Sequence, residues 1–144
     1  LCWLTGNLAM SLVKDGEGAT KLIRIVVNGM VDDADAVRVA RAIANSSLVK
    51  CSFNGEELNV GRIAAAAGSA GVELDPSRFT AFIGEHKVAE EGREVHYDPD
   101  DLARILKRDE VELTVNLGLG YGSAYFLTCD LSTAYVEFNA GERS

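Results

Sequence analysis

Strand-like and helix-like stretches alternate along this chain of 144 residues, and that alternation restricts the possible folds more than any other feature. Residues 21–27 are β-branched and apolar, as in a strand. The apolar residues that follow recur at the spacing of one helix face, at Val37, Ala40, Ile43 and Ala44. The pattern predicts an α/β (α+β layered) fold with a mixed sheet and packing helices. Residues 1–144 are predicted to form a single domain, since no linker or repeat interrupts them.

The other elements are predicted from caps, turns and periodicity. A first helix is predicted over residues 3–14, and a second begins after a cap at Asp32 or Asp33 and ends at residues 45–47. A third helix is predicted over residues 61–67, after a cap at Asn59 and before Gly68 and Gly71. A fourth starts at residues 98–100 and continues through Leu102, Ile105 and Leu106. Further strands are predicted at residues 48–53, 78–83, 86–88, 111–117, 123–129 and 135–139. Residues 28–29 predict a turn, and residues 84–85 predict a hairpin.

Charge and cysteine content exclude several classes of function. The net charge of -8 argues against nucleic acid or a membrane surface as partner, because both need clustered Lys and Arg. Cys2, Cys51 and Cys129 are odd in number and far apart, which favours neither a disulfide framework nor a metal site and is typical of the cytoplasm. Residues 1–4 are apolar but lack the pattern of a signal peptide or membrane span. Because the chain begins with Leu, we expect a processed, truncated or incomplete product.

A single acid between two glycines is the leading candidate for a functional residue. Glu17 lies between Gly16 and Gly18, directly before the first predicted strand. Glycines can turn the chain sharply and aim this carboxylate at a cationic or amine group. The alternative is a helix stop and turn whose charges face water, and the segment by itself favours that alternative.

Other polar residues have simpler interpretations. Lys21 is predicted to be a solvated lysine at a strand start, and Arg62 to pair locally in the first turn of its helix, although free N–H groups there can also help bind an anion. His86 and His96 are predicted to lie on the surface and not to bind metal. Cys129 ends an apolar strand and is predicted to be buried and inert.

The glycine-rich residues 118–122 (Gly-Leu-Gly-Tyr-Gly) lie between two predicted strands. A phosphate-binding loop is one interpretation, but the spacing is wrong and no helix follows. We therefore predict a hairpin at this position.

Five segments, in the same order along the chain, resemble the ornithine acetyltransferase family, also called glutamate N-acetyltransferases. The first is residues 15–21, Asp-Gly-Glu-Gly-Ala-Thr-Lys, the counterpart of the family's signature segment. The others are residues 44–50 (Ala-Asn-Ser-Ser-Leu-Val-Lys), 55–63 (Gly-Glu-Glu-Leu-Asn-Val-Gly-Arg-Ile), 129–132 (Cys-Asp-Leu-Ser) and 135–140 (Tyr-Val-Glu-Phe-Asn-Ala). The resemblance implies the C-terminal part of the second chain of a larger two-chain enzyme.

The resemblance implies an enzyme of arginine biosynthesis, which transfers an acetyl group from N-acetylornithine to glutamate through an acyl-threonine intermediate. Family members cleave themselves before that threonine, which this sequence does not contain, so we expect no catalytic residue here and no activity from the chain alone. The matching substrate-binding residues are Glu17, Asn139 and Ser144. The implied partners are the N-terminal chain of the same enzyme, amino-acid substrates and further copies in an oligomer. No cofactor is implied, apart from acetyl-CoA as acetyl donor in bifunctional members.

The sequence departs from the family pattern at four positions. Leu58 and Val60 replace a proline and a tryptophan, and Gly141 and Glu142 replace an acid and a tyrosine. These departures favour the alternative function, a non-catalytic binding or scaffold domain that is a degenerate relative of the family.

Overall fold

The computed structural model describes residue 11 and residues 18–141, without the side chains of residues 138 and 139. Its centre is a six-stranded mixed sheet in the order β4-β3-β2-β5-β1-β6. The strands are β1 (Leu22–Met30), β2 (Thr80–Ile83), β3 (His86–Glu90), β4 (Arg93–Glu94), β5 (Glu110–Asn116) and β6 (Gly122–Cys129). The pair β1 and β5 is parallel and every other pair is antiparallel. The predicted mixed α/β fold is therefore confirmed.

The strand β1, which pairs with both β5 and β6, is longer than predicted. Ile23, Ile25 and Val27 alternate toward the core and are completely buried, as expected for the inward face of a strand. The predicted turn at residues 28–29 is wrong, because the strand continues to Met30. Gly29 has a φ of +77° within a register shift between β1 and β6, so the glycine forms a bulge and not a turn.

Five helices are described, α1 (Asp33–Ala44), α2 (Ser47–Asn54), α3 (Val60–Gly68), α4 (Pro99–Leu106) and α5 (Thr133–Gly141). The predicted caps at Asp32, Asn59 and Asp98 are confirmed, since each side chain accepts a hydrogen bond from the first turn of its helix. On α1 the predicted apolar face holds except at Val37, which is 37% exposed. The buried face of α1 consists of Ala36, Val39, Ala40, Ile43 and Ala44.

Two predicted strands are helices. Residues 48–53 lie in α2 because the Ser46 side chain caps it, and Val49, Ser52 and Phe53 are buried at helical spacing. Residues 135–139 lie in α5, where the Ser132 hydroxyl accepts a hydrogen bond from the backbone N–H of Tyr135 at 3.3 Å. A serine three residues before an N–H is a helix start, and this signal outweighs the apolar character of both segments.

The glycine-rich residues 118–122 do not form the predicted hairpin. They join β5 to β6, which lie on opposite sides of β1, so the loop crosses the end of β1. A Cβ atom on Gly122 would lie 2.2 Å from the backbone of Asp32, and one on Gly120 would lie 2.7 Å from the Met30 carbonyl oxygen. The glycines are needed because the loop packs directly on the backbone that it crosses.

One face of the sheet is covered by α1, and side chains on the other face are exposed. Arg24 on β1 is exposed, although β1 has a paired strand on each side. Its register neighbour Glu112 on β5 is exposed as well. The Arg24 guanidinium lies 5.8 Å from the ring centre of Tyr125, which is 64% exposed. A strand with a parallel partner is usually covered on both faces, so this surface is unusual for the middle of a sheet.

Candidate functional site

A buried carboxylate at the end of β6 joins three parts of the chain. Asp130 is 3% exposed. Its Oδ1 accepts hydrogen bonds from the backbone N–H groups of Thr20, at 2.8 Å, and Lys21, at 2.9 Å. Its Oδ2 accepts from the Thr20 hydroxyl, at 2.5 Å, and from the Asn54 amide, at 2.7 Å. These four hydrogen bonds connect the entry to β1, the end of α2 and the end of β6, and they use the acceptor capacity of both oxygens.

Asp130 remains ionised in this environment. Burial acts to raise the pKa of its carboxyl, but hydrogen bonds from the Thr20 and Asn54 side chains and from the backbone of Lys21 and Thr20 lower it more, so the pKa lies below its usual value. The carboxylate is thus a fixed negative charge at neutral pH. Its charge is satisfied by neutral donors and not by a cation.

The same region of the chain is attached to the start of α5. The Ser132 hydroxyl donates a hydrogen bond to the carbonyl oxygen of Gly18. Gly18 has a φ of +76°, and a Cβ at that position would lie 2.8 Å from the backbone nitrogen of Tyr135. Only glycine fits here, because the loop touches the first turn of the helix.

Lys21 is not the solvated residue that its position predicts. It is 7% exposed, and its ammonium group lies 3.2 Å from a carboxylate oxygen of Glu56. Glu56 has a φ of +55° in the turn after α2. The pair adds a second link between the entry to β1 and the end of α2, and desolvation of the lysine reduces its net contribution to stability.

A cavity of about 280 Å³ lies beside Asp130. It is lined by residues from two distant segments, 45–50 and 129–131, and by Tyr135 of α5. The lining residues are Asn45, Ser47, Lys50, Cys129, Asp130, Leu131 and Tyr135. Polar and apolar residues thus line one small space, with Cys129 and Leu131 beside Asn45 and Lys50.

The predicted substrate-binding residues lie at the margin of what is described. Glu17 and Ser144 are outside the described residues. Asn139 lies in α5, one helical turn after Tyr135, and its side chain is not described. The loop that follows Glu17 and the helix that carries Asn139 nevertheless meet at Gly18 and Tyr135.

The remaining candidates carry no site. Arg62 pairs locally as predicted, with its guanidinium donating to the Leu48 carbonyl oxygen at 3.3 Å. His96 is exposed as predicted, whereas His86 is half-buried. Cys129 is a free thiol but is only half-buried, so the prediction of a buried cysteine is wrong. Within the described residues no group of His, Cys, Asp or Glu could hold a metal ion, and no helix there is long and apolar enough to cross a membrane.

Comparison with known proteins decides the family. A family model described as the ArgJ family matches residues 1–144. This chain belongs to the ArgJ family. The resemblance read from the sequence is confirmed, and the buried Asp130 and Ser132 lie in one of the ArgJ-like segments on which that resemblance depended.

Individual ArgJ relatives agree. The chain is 43% identical over 134 residues to the arginine biosynthesis bifunctional protein ArgJ of Parasynechococcus marenigrum (strain WH8102), covering 93% of this chain and 33% of that relative. It is 45% identical over 142 residues to a glutamate N-acetyltransferase of Methanopyrus kandleri, covering 96% of this chain and 36% of the relative. The chain thus spans about a third of the length of these relatives. Its predicted C-terminal position within them stays a prediction.

A solved ArgJ structure has the same fold. The crystal structure of the arginine biosynthesis bifunctional protein ArgJ from Bacillus halodurans matches with a TM-score of 0.90 at 36% identity. The match covers 94% of this chain and 64% of that one.

The local sequence does not predict that Asp130 is buried and accepts hydrogen bonds from distant segments. The residue was visible only as part of the Cys-Asp-Leu-Ser segment, and nothing in its local pattern points to the distant Thr20 or Asn54. The signal that could have found it is the joint presence of the ArgJ-like segments 15–21, 44–50 and 129–132, since segments that recur together often meet in space.

Proposed function

We propose that this chain is the substrate-recognition part of an N-acetyltransferase of arginine biosynthesis, which moves an acetyl group from N-acetylornithine to glutamate. The names of its ArgJ relatives support acetyl transfer in that pathway. In the proposed reaction a threonine hydroxyl outside this chain attacks the acetyl carbonyl, and ornithine leaves as the amine. The amine of glutamate then attacks the acyl-threonine ester. Two easier steps replace one difficult transfer.

The observation that carries the proposal is the meeting of Gly18 with the first turn of α5. It joins the loop that follows Glu17 to the helix that carries Asn139, although these residues are 122 positions apart in the sequence. In the proposed site the Glu17 carboxylate binds the substrate ammonium group, because a charge-assisted hydrogen bond is stronger than a neutral one. Asn139 and Ser144 supply an amide and a hydroxyl for the carboxylate or amine of the amino acid.

The proposed partner is the N-terminal segment of the same enzyme, released by autocatalytic cleavage, in an assembly that is an oligomer. The exposed sheet face at Arg24, Glu112 and Tyr125 supports a further packing partner, because the middle of a sheet is normally covered. The threefold greater length of the relatives supports it too. The proposed enzyme needs no cofactor, with acetyl-CoA as an additional acetyl donor if it is bifunctional, and acts in the cytoplasm.

The test is to express the chain alone and together with the segment that precedes it in its own reading frame. We expect the pair, and not the chain alone, to transfer acetyl from N-acetylornithine to glutamate. In the pair, Glu17→Gln should raise the KM for glutamate by about 10-fold to 100-fold, since it removes a charge from the amine contact. Glu91→Gln is the matched control, because Glu91 lies in the turn between β3 and β4 at the far edge of the sheet.

The alternative is a scaffold domain without turnover, which the departures at Leu58, Val60, Gly141 and Glu142 favour. Two of these departures are compatible with folding: Val60 is 7% exposed and Leu58 packs against the core. Calorimetric titration of the pair with ornithine separates the two functions. Equal binding by the wild type and by Glu17→Gln, together with no acetyl transfer, would support the scaffold.

A further inference from the structure

The cavity beside Asp130 has one cationic group in its described lining, the ammonium group of Lys50. Lys50 lies in α2 and is half-buried. Within residues 18–141 no ion pair includes it, whereas Lys21 and Lys87 are each paired with a glutamate. In this part of the chain the positive charge of Lys50 is therefore open to a bound anion.

The acid in the same wall does not neutralise Lys50. Asp130 directs both carboxylate oxygens at donors of Thr20, Lys21 and Asn54, and it is 3% exposed. A carboxylate with its acceptor directions used cannot bind a further ammonium group without losing protein hydrogen bonds. The described lining thus offers a cation without an open carboxylate, which favours an anionic ligand over an amine.

The other lining residues restrict what kind of anion fits. Leu131, Cys129 and Tyr135 contribute apolar atoms. Asn45 and Ser47 carry an amide and a hydroxyl, which can donate hydrogen bonds to an anion. The volume of about 280 Å³ lies just below the range of about 300–1,000 Å³ that is typical of sites for drug-sized ligands. The cavity therefore suits a small molecule with a short apolar part.

The number of charges selects a carboxylate. One ammonium group matches the single negative charge of a carboxylate in a charge-assisted hydrogen bond. A phosphate group carries more charge and is usually bound by several donors or by the guanidinium of an arginine. The described lining contains neither a second cation nor an arginine.

We propose that this cavity is a binding site for a small carboxylate on a short apolar stem, with the Lys50 ammonium group as its ionic partner and Leu131 and Tyr135 packed against the stem. The inference goes beyond the proposed function and does not depend on it, because none of the three predicted substrate-binding residues takes part. The carboxylate has two possible sources. It belongs either to an amino-acid substrate or to a separate small acid.

The experiment titrates the chain, together with its preceding segment, with butyrate and with the uncharged isostere butyramide. Amide N–H shifts in NMR spectra give both the affinity and the place of binding. We expect saturable binding of butyrate at millimolar concentration, with the largest shifts around Leu131 and Cys129, and no saturable binding of butyramide. Lys50→Met keeps the stem and removes the charge, so it should weaken butyrate binding by about 10-fold or more. Lys50→Arg keeps the charge and should stay within about threefold of the wild type.

Lys107→Met is the matched control, since Lys107 is exposed after α4 and does not line the cavity. It should bind butyrate like the wild type. Equal affinity in Lys50→Met, equal binding of butyramide, or shifts centred away from the cavity would each overturn the proposal. If Lys50→Met does not fold, the comparison of butyrate with butyramide and the place of the shifts in the wild type decide the question.

Competition with glutamate distinguishes the two sources. Displacement of butyrate by glutamate would assign the carboxylate to the acetyl acceptor of the proposed reaction, and its absence would assign the site to a separate small acid. Both results require a carboxylate site and differ only in its occupant. A wild-type pair that binds butyrate but transfers no acetyl group would remove the proposed function and leave this site in place.

Discussion

The inner face of the sheet and the Asp130 network hold the chain together in different ways. The inner face is built from apolar side chains such as Ile25 on β1 and Leu113 on β5, which are register partners and are completely buried. The Asp130 network is built from polar groups at the ends of elements, each with a specific partner. Apolar packing depends on area and tolerates changes of shape, whereas a buried carboxylate needs particular donors in particular directions. The first stabilises the sheet by packing, and the second joins the ends of β1, α2 and β6 by hydrogen bonds.

The largest expected effect on stability is from a substitution on the inner face of the sheet. Ile25→Ala should lower the free energy of unfolding of the chain by about 4 kcal/mol, from lost burial plus the cavity left in the middle of the sheet. Chemical denaturation measures the change. A loss below about 1 kcal/mol would mean that the sheet contributes less than its burial implies.

A substitution in the Asp130 network should lower the free energy of unfolding by a smaller amount. Asp130→Ala leaves the N–H of Lys21 and the Asn54 amide without their acceptor, which should cost about 2 kcal/mol in the same experiment. The comparison between the two regions would be wrong if this variant were less stable than Ile25→Ala.

Acid should weaken the Asp130 network and leave the apolar packing at Ile25 unchanged. The pKa of Asp130 is lowered in the folded chain from an ordinary value of 3.8, so its contribution is complete above that value and is lost as the pH falls through the lower folded-state pKa. The stability difference between wild type and Asp130→Asn should therefore be constant near neutral pH and shrink below about pH 4. Unfolding curves measured at a series of pH values give the difference, and Ile25→Ala should show no such dependence. A difference that grew in acid would contradict the assigned direction.

The smallest effects belong to single surface groups. Asn59→Ala removes the cap of α3 and should cost about 1 kcal/mol. Arg38→Ala removes a 3.8 Å ion pair between exposed side chains and should cost less than about 0.5 kcal/mol. Thermal melting of both variants checks this order, which would be reversed if surface charge mattered more than capping.

The same contrast explains which parts of the molecule the sequence predicts. The strand at residues 21–27 and the helix capped by Asp98 follow from local rules of alternation and capping, and both are present. The predicted strands at residues 48–53 and 135–139 are wrong because short apolar runs fit a strand or a helix equally well, and the serine before each run starts a helix. The burial of Lys21 and the four hydrogen bonds of Asp130 depend on segments more than 30 residues away, so no local pattern contains them.

The family resemblance rests on five segments in the same order and not on a single spacing. It includes residues 15–21 and 129–132, which the structure joins through Asp130. The site residues Glu17, Asn139 and Ser144 stay predictions that rest on that match.

The position of β1 in the sheet also has a consequence for how the chain folds. Both neighbours of this second-to-last strand, β5 and β6, come from beyond residue 109, whereas β1 ends at residue 30. On a ribosome β1 therefore cannot form its ladders until most of the chain has emerged. Such long-range pairing slows folding, and until it forms the strand is open to association with other chains.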